Sequence, residues 1–144
     1  LVAREHGAKH DAIQKVIDSF RGLPHRIEYV RKVGGVNFYN DSKATNVHAV
    51  LRSLDTFEEN VILIMGGKET NINFEPLRNM IKRELGDFSE CFLIGTFEEA
   101  VLIAYQKSRI GDTVLLSPGC PSFDMFDSYE ERGEYFKEIV RKFH

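Results

Sequence analysis

The sequence predicts an α/β fold in which a mostly parallel sheet carries helices on both faces and an antiparallel hairpin at one edge. From residue 60 onward, short continuous apolar runs alternate with segments of helical period, as is typical of parallel strands covered by helices. Gly34-Gly35 joins two runs of alternating polarity, which favours a hairpin. The length of 144 residues is usual for one domain, and the 42% of apolar residues can form a core.

The N-terminal half contains two predicted helices and the hairpin. Ile13, Val16, Ile17 and Phe20 form an apolar stripe at helical spacing, so a helix is predicted over 3–20, ending at Gly22 and Pro24. The hairpin strands are 26–33 and 36–41, and a short helix follows over about 46–54, capped by Thr45 or Asn46. A domain boundary is expected near Gly22–Pro24, and without a preceding domain the first helix should expose its apolar face.

The C-terminal half alternates strictly between strands and helices. Buried strands are predicted at 60–67, 91–95 and 112–119, and helices at 74–85, 96–108 and 128–143. Capping boxes at Thr96/Glu99 and Ser128/Glu131 mark the starts of the last two helices. This order predicts a Rossmann-like arrangement.

Composition narrows the functional class. The net charge of −3 gives no electrostatic footprint for nucleic acid, and no apolar run reaches the eighteen residues of a membrane span. Cys91 and Cys120 lie far apart beside apolar runs, so we expect two free thiols in a reduced, cytoplasmic protein. The chain begins with Leu1 rather than Met, which suggests a piece of a longer protein.

Three predicted strand ends carry small and polar residues, and ligands bind outside the carboxyl ends of strands in open parallel sheets. The three segments are "YNDSKATN" (39–46), "GGKETNINF" (66–74) and "SPGCPSFDMF" (117–126). Lys43, next to a predicted helix N-terminus, suits an anion, and Asp41 could accept hydrogen bonds from sugar hydroxyls. The alternative is that all three are ordinary strand–helix loops, in which Asp41 and Ser42 form a turn and Lys43 is solvated.

Other sequence signals are weaker. "GGK" (66–68) is not a phosphate loop, because G-x-x-x-x-G-K-[ST] does not occur, and the G-x-S-x-G pattern of a serine nucleophile is also missing. Cys120 lacks the His and Asn spacing of a cysteine nucleophile. His6 and His10 lie four residues apart on a predicted helix, but no third ligand is apparent, so a solvated face is favoured over a metal site.

Several motifs together resemble the C-terminal third of the Mur ligases, the ATP-dependent ligases of bacterial cell-wall (peptidoglycan) synthesis, and among them the type that adds D-glutamate. The matching segments run in order over residues 22–144: "GLPHR" (22–26), "NDSKATN" (40–46), the glycine pair 66–67, and "LLSPGCPSFDMFDSYEERGEYF" (115–136). The first helix, residues 1–22, resembles the end of the family's central ATPase domain, and 23–144 its C-terminal amino-acid-binding domain.

The resemblance implies an ATP-dependent amide ligase that phosphorylates the carboxylate of UDP-N-acetylmuramoyl-L-alanine and joins it to D-glutamate. It implies ATP contacts from Arg26, Asp41 and Lys43, with Lys43 as the catalytic group at the phosphates. For D-glutamate it implies Thr45, Ser122, Phe123, Tyr129 and Lys68. Magnesium ligands and the UDP-sugar site are expected in the N-terminal and central domains, which these 144 residues lack, so the chain alone should be inactive.

The chain departs from the family pattern at two positions. The lysine that usually follows the glycine pair would fall at Thr70, whereas Lys68 comes two residues earlier. Either the loop bends to bring Lys68 in or the carboxylate is held differently. Tyr129 stands where the family often has phenylalanine. A non-catalytic α/β nucleotide-binding or scaffold module stays open as the alternative, while a dinucleotide-binding domain is disfavoured because no strand is followed by G-x-G-x-x-G.

Overall fold

Four strands form one mixed sheet in the computed structural model, which describes residues 2–20, 22–67, 79 and 92–144. The strands are β1 (Glu28–Val33), β2 (Val36–Asn40), β3 (Val61–Ile64) and β4 (Thr113–Leu116). Their order across the sheet is β1-β2-β4-β3. Strands β2, β3 and β4 are parallel, and β1 is antiparallel to β2 at the edge, so the predicted fold class is confirmed.

Five helices accompany the sheet in the described ranges: α1 (Val2–Glu5), α2 (His10–Ser19), α3 (Val47–Leu54), α4 (Phe97–Lys107) and α5 (Tyr129–Arg141). Side chains cap three of them: Asn46 accepts from the backbone N–H of Ala49, Thr96 from that of Glu99, and Ser128 from that of Glu131. Both predicted capping positions are confirmed, and of the two candidates for α3 the cap is Asn46. No helix in these ranges has the length and apolar character to cross a membrane.

The predicted N-terminal helix is wrong in one respect, because it is broken into α1 and α2. Gly7 has a φ of 82° and takes the left-handed conformation that ends a helix, a position that glycine occupies without steric cost. The expectation of an exposed apolar face is confirmed. Val16, Ile17 and Phe20 are 63%, 63% and 61% exposed.

Two strand predictions also need correction. The strand predicted at 60–67 is only Val61–Ile64, and apart from Ile64 its residues are half-buried, because β3 is an edge strand of the described sheet. The strand predicted at 91–95 is wrong where it can be compared: residues 92–95 are not in a strand, and Leu93 is 88% exposed. A short apolar run does not by itself specify strand pairing. The helix predicted at 74–85 and Cys91 lie outside the described residues.

The core lies between one face of the sheet and helices α4 and α5. Phe38, Val114, Val101 and Phe136 are fully buried there. On the other face, Phe57, just after α3, packs edge-on against Tyr39, with 5.0 Å between the two ring centroids. Each face of the central strands is therefore covered, as the continuous apolar run of β4 predicts.

The hairpin turn fixes the register of the edge strand. Val33 pairs with Val36, so Gly34 and Gly35 form a two-residue turn, and both have positive φ, 56° and 86°. Such turns match the natural twist of the strands and require residues that tolerate positive φ.

Candidate functional site

The carboxyl ends of the three parallel strands meet at one edge of the sheet. Asn40 of β2 and Ile64 of β3 both pair with Leu116 of β4, so the three strands end at the same level. The loops that follow are joined by backbone hydrogen bonds of 2.8 Å, which run from Asp41 N to Leu116 O, from Gly119 N to Ala44 O, and from Gly66 N to Pro118 O. The loops predicted from their polar composition therefore lie side by side.

A cavity of about 420 Å³ lies at this edge. Its walls are Lys43, Thr45, Pro121, Ser122, Phe123, Ser128, Tyr129 and Glu130. Five of these side chains were predicted from the sequence: Lys43, Thr45, Ser122, Phe123 and Tyr129. The volume falls in the range of small-molecule sites.

Lys43 and Tyr129 form the contact that closes one wall of the cavity. The Lys43 ammonium lies 3.8 Å from the centroid of the Tyr129 ring, in the geometry of a cation–π interaction. The backbone of Lys43 is fixed by its N–H, which donates to the carbonyl of His25 at 3.0 Å. A hydrogen bond from the Tyr129 hydroxyl lowers the pKa of Glu130, and the charge of Lys43 acts in the same direction. The lining of the cavity therefore includes both an ammonium and a carboxylate.

The opposite wall is a tight turn that begins at Ser122. The carbonyl of Ser122 accepts hydrogen bonds from the backbone N–H groups of Met125 (3.0 Å) and Phe126 (2.9 Å), and the residue is only 2% exposed. Phe123 is 81% exposed, so its ring stands at the mouth of the cavity. The turn thus combines a buried serine with an aromatic ring open to solvent.

Asp41 and Arg26 are not among the cavity walls formed by the described residues. One carboxylate oxygen of Asp41 accepts from the hydroxyls of Ser53 (2.5 Å) and Ser117 (2.9 Å). The other accepts from the backbone N–H of Ile27 at 3.3 Å. Burial raises the pKa of Asp41, and these hydrogen bonds and the positive charge of Arg26 only partly offset that effect. Arg26 itself is exposed, and Lys68 lies outside the described residues.

Arg132 is a buried side chain at this edge whose role the sequence pattern did not predict. Its Nε donates to the hydroxyl of Ser42 at 3.0 Å, and one Nη to the carbonyl of Ser42 at 2.9 Å. The Nη groups also donate to the carbonyls of Cys120 and Pro121, each at 3.2 Å. Arg132 lies in the quoted segment "EERGEYF". The helical period of that segment indicates on which face of α5 the residue lies, but not which groups it contacts.

His25 packs against Tyr129, and Gly133 leaves room for the His25 ring. The His25 ring packs edge-on against Tyr129, with 5.9 Å between the ring centroids. Its Nδ1 lies 3.0 Å from the side-chain amide nitrogen of Asn40. A Cβ atom on Gly133 would lie 2.2 Å from that Nδ1, so only glycine leaves room for the imidazole. The φ of 61° at His25 could not be read from the sequence.

Comparisons with known proteins agree on one group of relatives. The chain is 74% identical to the UDP-N-acetylmuramoylalanine–D-glutamate ligase of Bdellovibrio bacteriovorus, an alignment that covers 100% of this chain and 35% of that protein. It is 43% identical to the ligase of the same name from Aquifex aeolicus, over 97% of this chain and 38% of that protein. The chain thus spans about a third of the length of these curated relatives. No protein-family model matches it.

A solved structure shares the fold. The MurF ligase of Thermotoga maritima, determined in complex with ADP, superposes with a TM-score of 0.59 and 16% sequence identity. The match covers 98% of this chain and 36% of that one. At this level of identity the likeness supports the fold alone.

Proposed function

Since this chain belongs to the Mur ligase family, we propose that it is the C-terminal part of an ATP-dependent ligase that adds D-glutamate to UDP-N-acetylmuramoyl-L-alanine in the cytoplasm. Residues 1–22 would belong to the preceding ATPase domain, and 23–144 would form the amino-acid-binding domain. The observation that carries the proposal is the cavity into which five predicted ligand residues converge.

The proposed reaction joins a carboxylate to an amine. Transfer of the γ-phosphoryl group of ATP makes an acyl phosphate, the amine of D-glutamate attacks its carbonyl carbon, and phosphate leaves from the tetrahedral intermediate. The role of this chain is to hold the amine in position and to offset negative charge at the phosphates, because positioning and electrostatics supply most of the rate in such transfers.

Lys43 is the proposed catalytic residue. Its ammonium lies over Tyr129 at the cavity wall, close to the N-terminal end of α3. A positive charge held there stabilises an anionic group that gains charge during the reaction. The packing of the aromatic ring restricts the flexible lysine stem, so less conformational entropy is lost when the anion binds.

D-Glutamate would bind between the two walls of the cavity. Thr45 and Ser122 offer hydroxyl donors to its carboxylates, and the rings of Phe123 and Tyr129 flank its methylene chain. Donors at fixed positions distinguish the two enantiomers, because the wrong hand leaves buried donors unpaired at a cost of roughly 1–3 kcal/mol each. We propose Lys68 as a further carboxylate ligand on the family resemblance alone.

Arg26 and Asp41 are the proposed nucleotide contacts. Asp41 accepts three protein hydrogen bonds, and a carboxylate has about four acceptor positions, so one remains for a ribose hydroxyl. Exposed Arg26 lies within electrostatic reach of Asp41 and is open to a ligand. The described residues contain no cluster of three or more His, Cys, Asp or Glu side chains fit to hold a metal, and we assign no step to Mg²⁺ in this chain.

The decisive experiment uses the complete ligase that contains this chain. With ATP and UDP-N-acetylmuramoyl-L-alanine, it should release ADP and phosphate and form an amide when D-glutamate is supplied, but not with L-glutamate. No product with D-glutamate would reject the proposed substrate and favour the alternative of a non-catalytic module.

A further inference from the structure

We infer that Arg132 is a positioning residue that holds the loop bearing Ser122 against the loop bearing Lys43 and thereby sets the selectivity for the amino acid. This inference rests on the proposed function. The guanidinium of Arg132 donates to Ser42 in the first loop and to Cys120 and Pro121 in the second. Ser42 directly precedes Lys43, and Pro121 directly precedes Ser122, so one side chain spans the two walls of the cavity.

The chemistry of the side chain suits this task. Arginine presents several N–H donors in a rigid planar fork, whereas lysine offers a single point charge on a flexible stem. Here the fork uses Nε and both Nη nitrogens on acceptors that come from two segments. A lysine at the same position could satisfy one segment but not span both.

We call the hydrogen bonds from Arg132 to Ser42, Cys120 and Pro121 the clamp. Burial restricts the movement of its groups. Arg132 is 3% exposed, and burial lowers its pKa, while nearby Cys120 and Asp124 act in the opposite direction. A buried cation without partners is strongly unfavourable, so any movement of either loop away from the guanidinium is opposed.

The two loops depend on Arg132 to different extents. The first loop has other anchors: Ser42 N–H donates to the side chain of Asn40 at 3.1 Å, and Lys43 N–H to His25. In the second loop, Gly119 N–H donates to the Ala44 carbonyl at 2.8 Å, and the next two carbonyls, of Cys120 and Pro121, accept from the guanidinium. The first loop is thus held at the residues that adjoin the fork, whereas the Gly119 anchor lies before the residues that the fork binds. Loss of the fork should therefore displace mainly the Ser122 side, which we assign to the amino acid, and leave the Lys43 side, which we assign to ATP, in place.

The test is steady-state kinetics of the complete ligase with Arg132→Lys. The KM for D-glutamate should rise about tenfold or more, since small displacements of positioning groups carry penalties of this size or greater. The KM for ATP should stay near the wild-type value, and the preference for D- over L-glutamate should fall. An unchanged KM for D-glutamate with unchanged enantiomer preference would overturn the inference.

The matched control is Lys137→Met on the same helix. Lys137 is also cationic and buried, at 8% exposure, but its partners Glu28 and Glu134 do not line the cavity. This control should lower the melting temperature without changing either KM. A rise in the KM for D-glutamate equal to that of Arg132→Lys would show a merely structural role.

A second variant keeps the inference falsifiable if Arg132→Lys does not fold. Ser42→Ala removes only the hydroxyl that accepts from Nε, and it should raise the KM for D-glutamate by a smaller factor with the KM for ATP unchanged. A raised KM for ATP with an unchanged KM for D-glutamate would contradict the assignment of the Ser122 side to the amino acid. A wild-type ligase inactive with D-glutamate would instead reject the proposed function and leave the geometry of the clamp untouched.

Discussion

The ammonium nitrogen of Lys43 lies 3.8 Å from the centroid of the Tyr129 ring. The two residues come from the loop after β2 and from the first turn of α5, so the contact joins two separate segments of the chain in one wall of the cavity. It connects the proposed phosphate-binding group with the proposed amino-acid site.

Replacing Lys43 by alanine should abolish ATP-dependent amide formation in the complete ligase and leave the fold intact, because the side chain is half-buried at the cavity and not in the core. Product formation and the melting temperature measure the two effects. Lys107→Ala is a matched control, since Lys107 lies 4.7 Å over the Phe92 ring, away from the cavity. Wild-type activity in Lys43→Ala would reject the catalytic role.

Tyr129→Phe should retain most activity, whereas Tyr129→Leu should not. Phenylalanine keeps the ring beneath Lys43, and leucine removes a cation–π interaction worth about 0.5–1 kcal/mol at exposed sites. The measurement is the KM for ATP and the KM for D-glutamate in the complete ligase. Equal values for the two variants would mean that the ring does not orient Lys43.

Gly133→Ala should destabilise the chain by about 1–3 kcal/mol, the usual cost of overpacking. The new methyl group would lie 2.2 Å from His25 Nδ1 and 2.9 Å from Asn40 Nδ2, which have little room to move. Thermal unfolding measures the loss. Gly95→Ala, where the nearest side-chain atom is 3.8 Å away, should be tolerated, and equal losses in both variants would argue against this packing.

The stability of the chain should depend on pH through Asp41. Burial raises the pKa of Asp41 in the folded state, so its contribution to stability is fully present below the unfolded-state pKa of about 3.9 and is lost as the pH rises through the folded-state pKa. Asp41→Asn removes this dependence. The melting temperature of the variant relative to wild type should therefore increase as the pH is raised from about 4 towards neutrality. A decrease over the same range would contradict the raised pKa.

Local sequence signals predicted much of this fold. Ser128 with Glu131 marked the start of α5, Gly34-Gly35 marked the hairpin, and the apolar run at Thr113–Leu116 marked the central strand. Each of these signals acts over a few residues and so can be read along the chain. The placement of the three polar loops followed from the parallel topology that these elements imply.

The features that the sequence did not predict depend on contacts between residues far apart in the chain. Nothing local in the sequence shows that Arg132 would reach Ser42 and Pro121, because that contact depends on how α5 packs against the sheet. The exposure of Leu93 was missed for a similar reason, since an apolar run becomes a strand only where a neighbouring strand can pair with it.

The central claim is that the loops after β2 and β4 together form a site for D-glutamate. It is tested most directly by titrating the isotopically labelled chain with D- and L-glutamate and following backbone amide shifts by NMR. The account predicts that the amides of Thr45 and Ser122 shift together with D-glutamate and shift less with the L-enantiomer. No response of either amide at high D-glutamate concentration, or equal responses to both enantiomers, would contradict it.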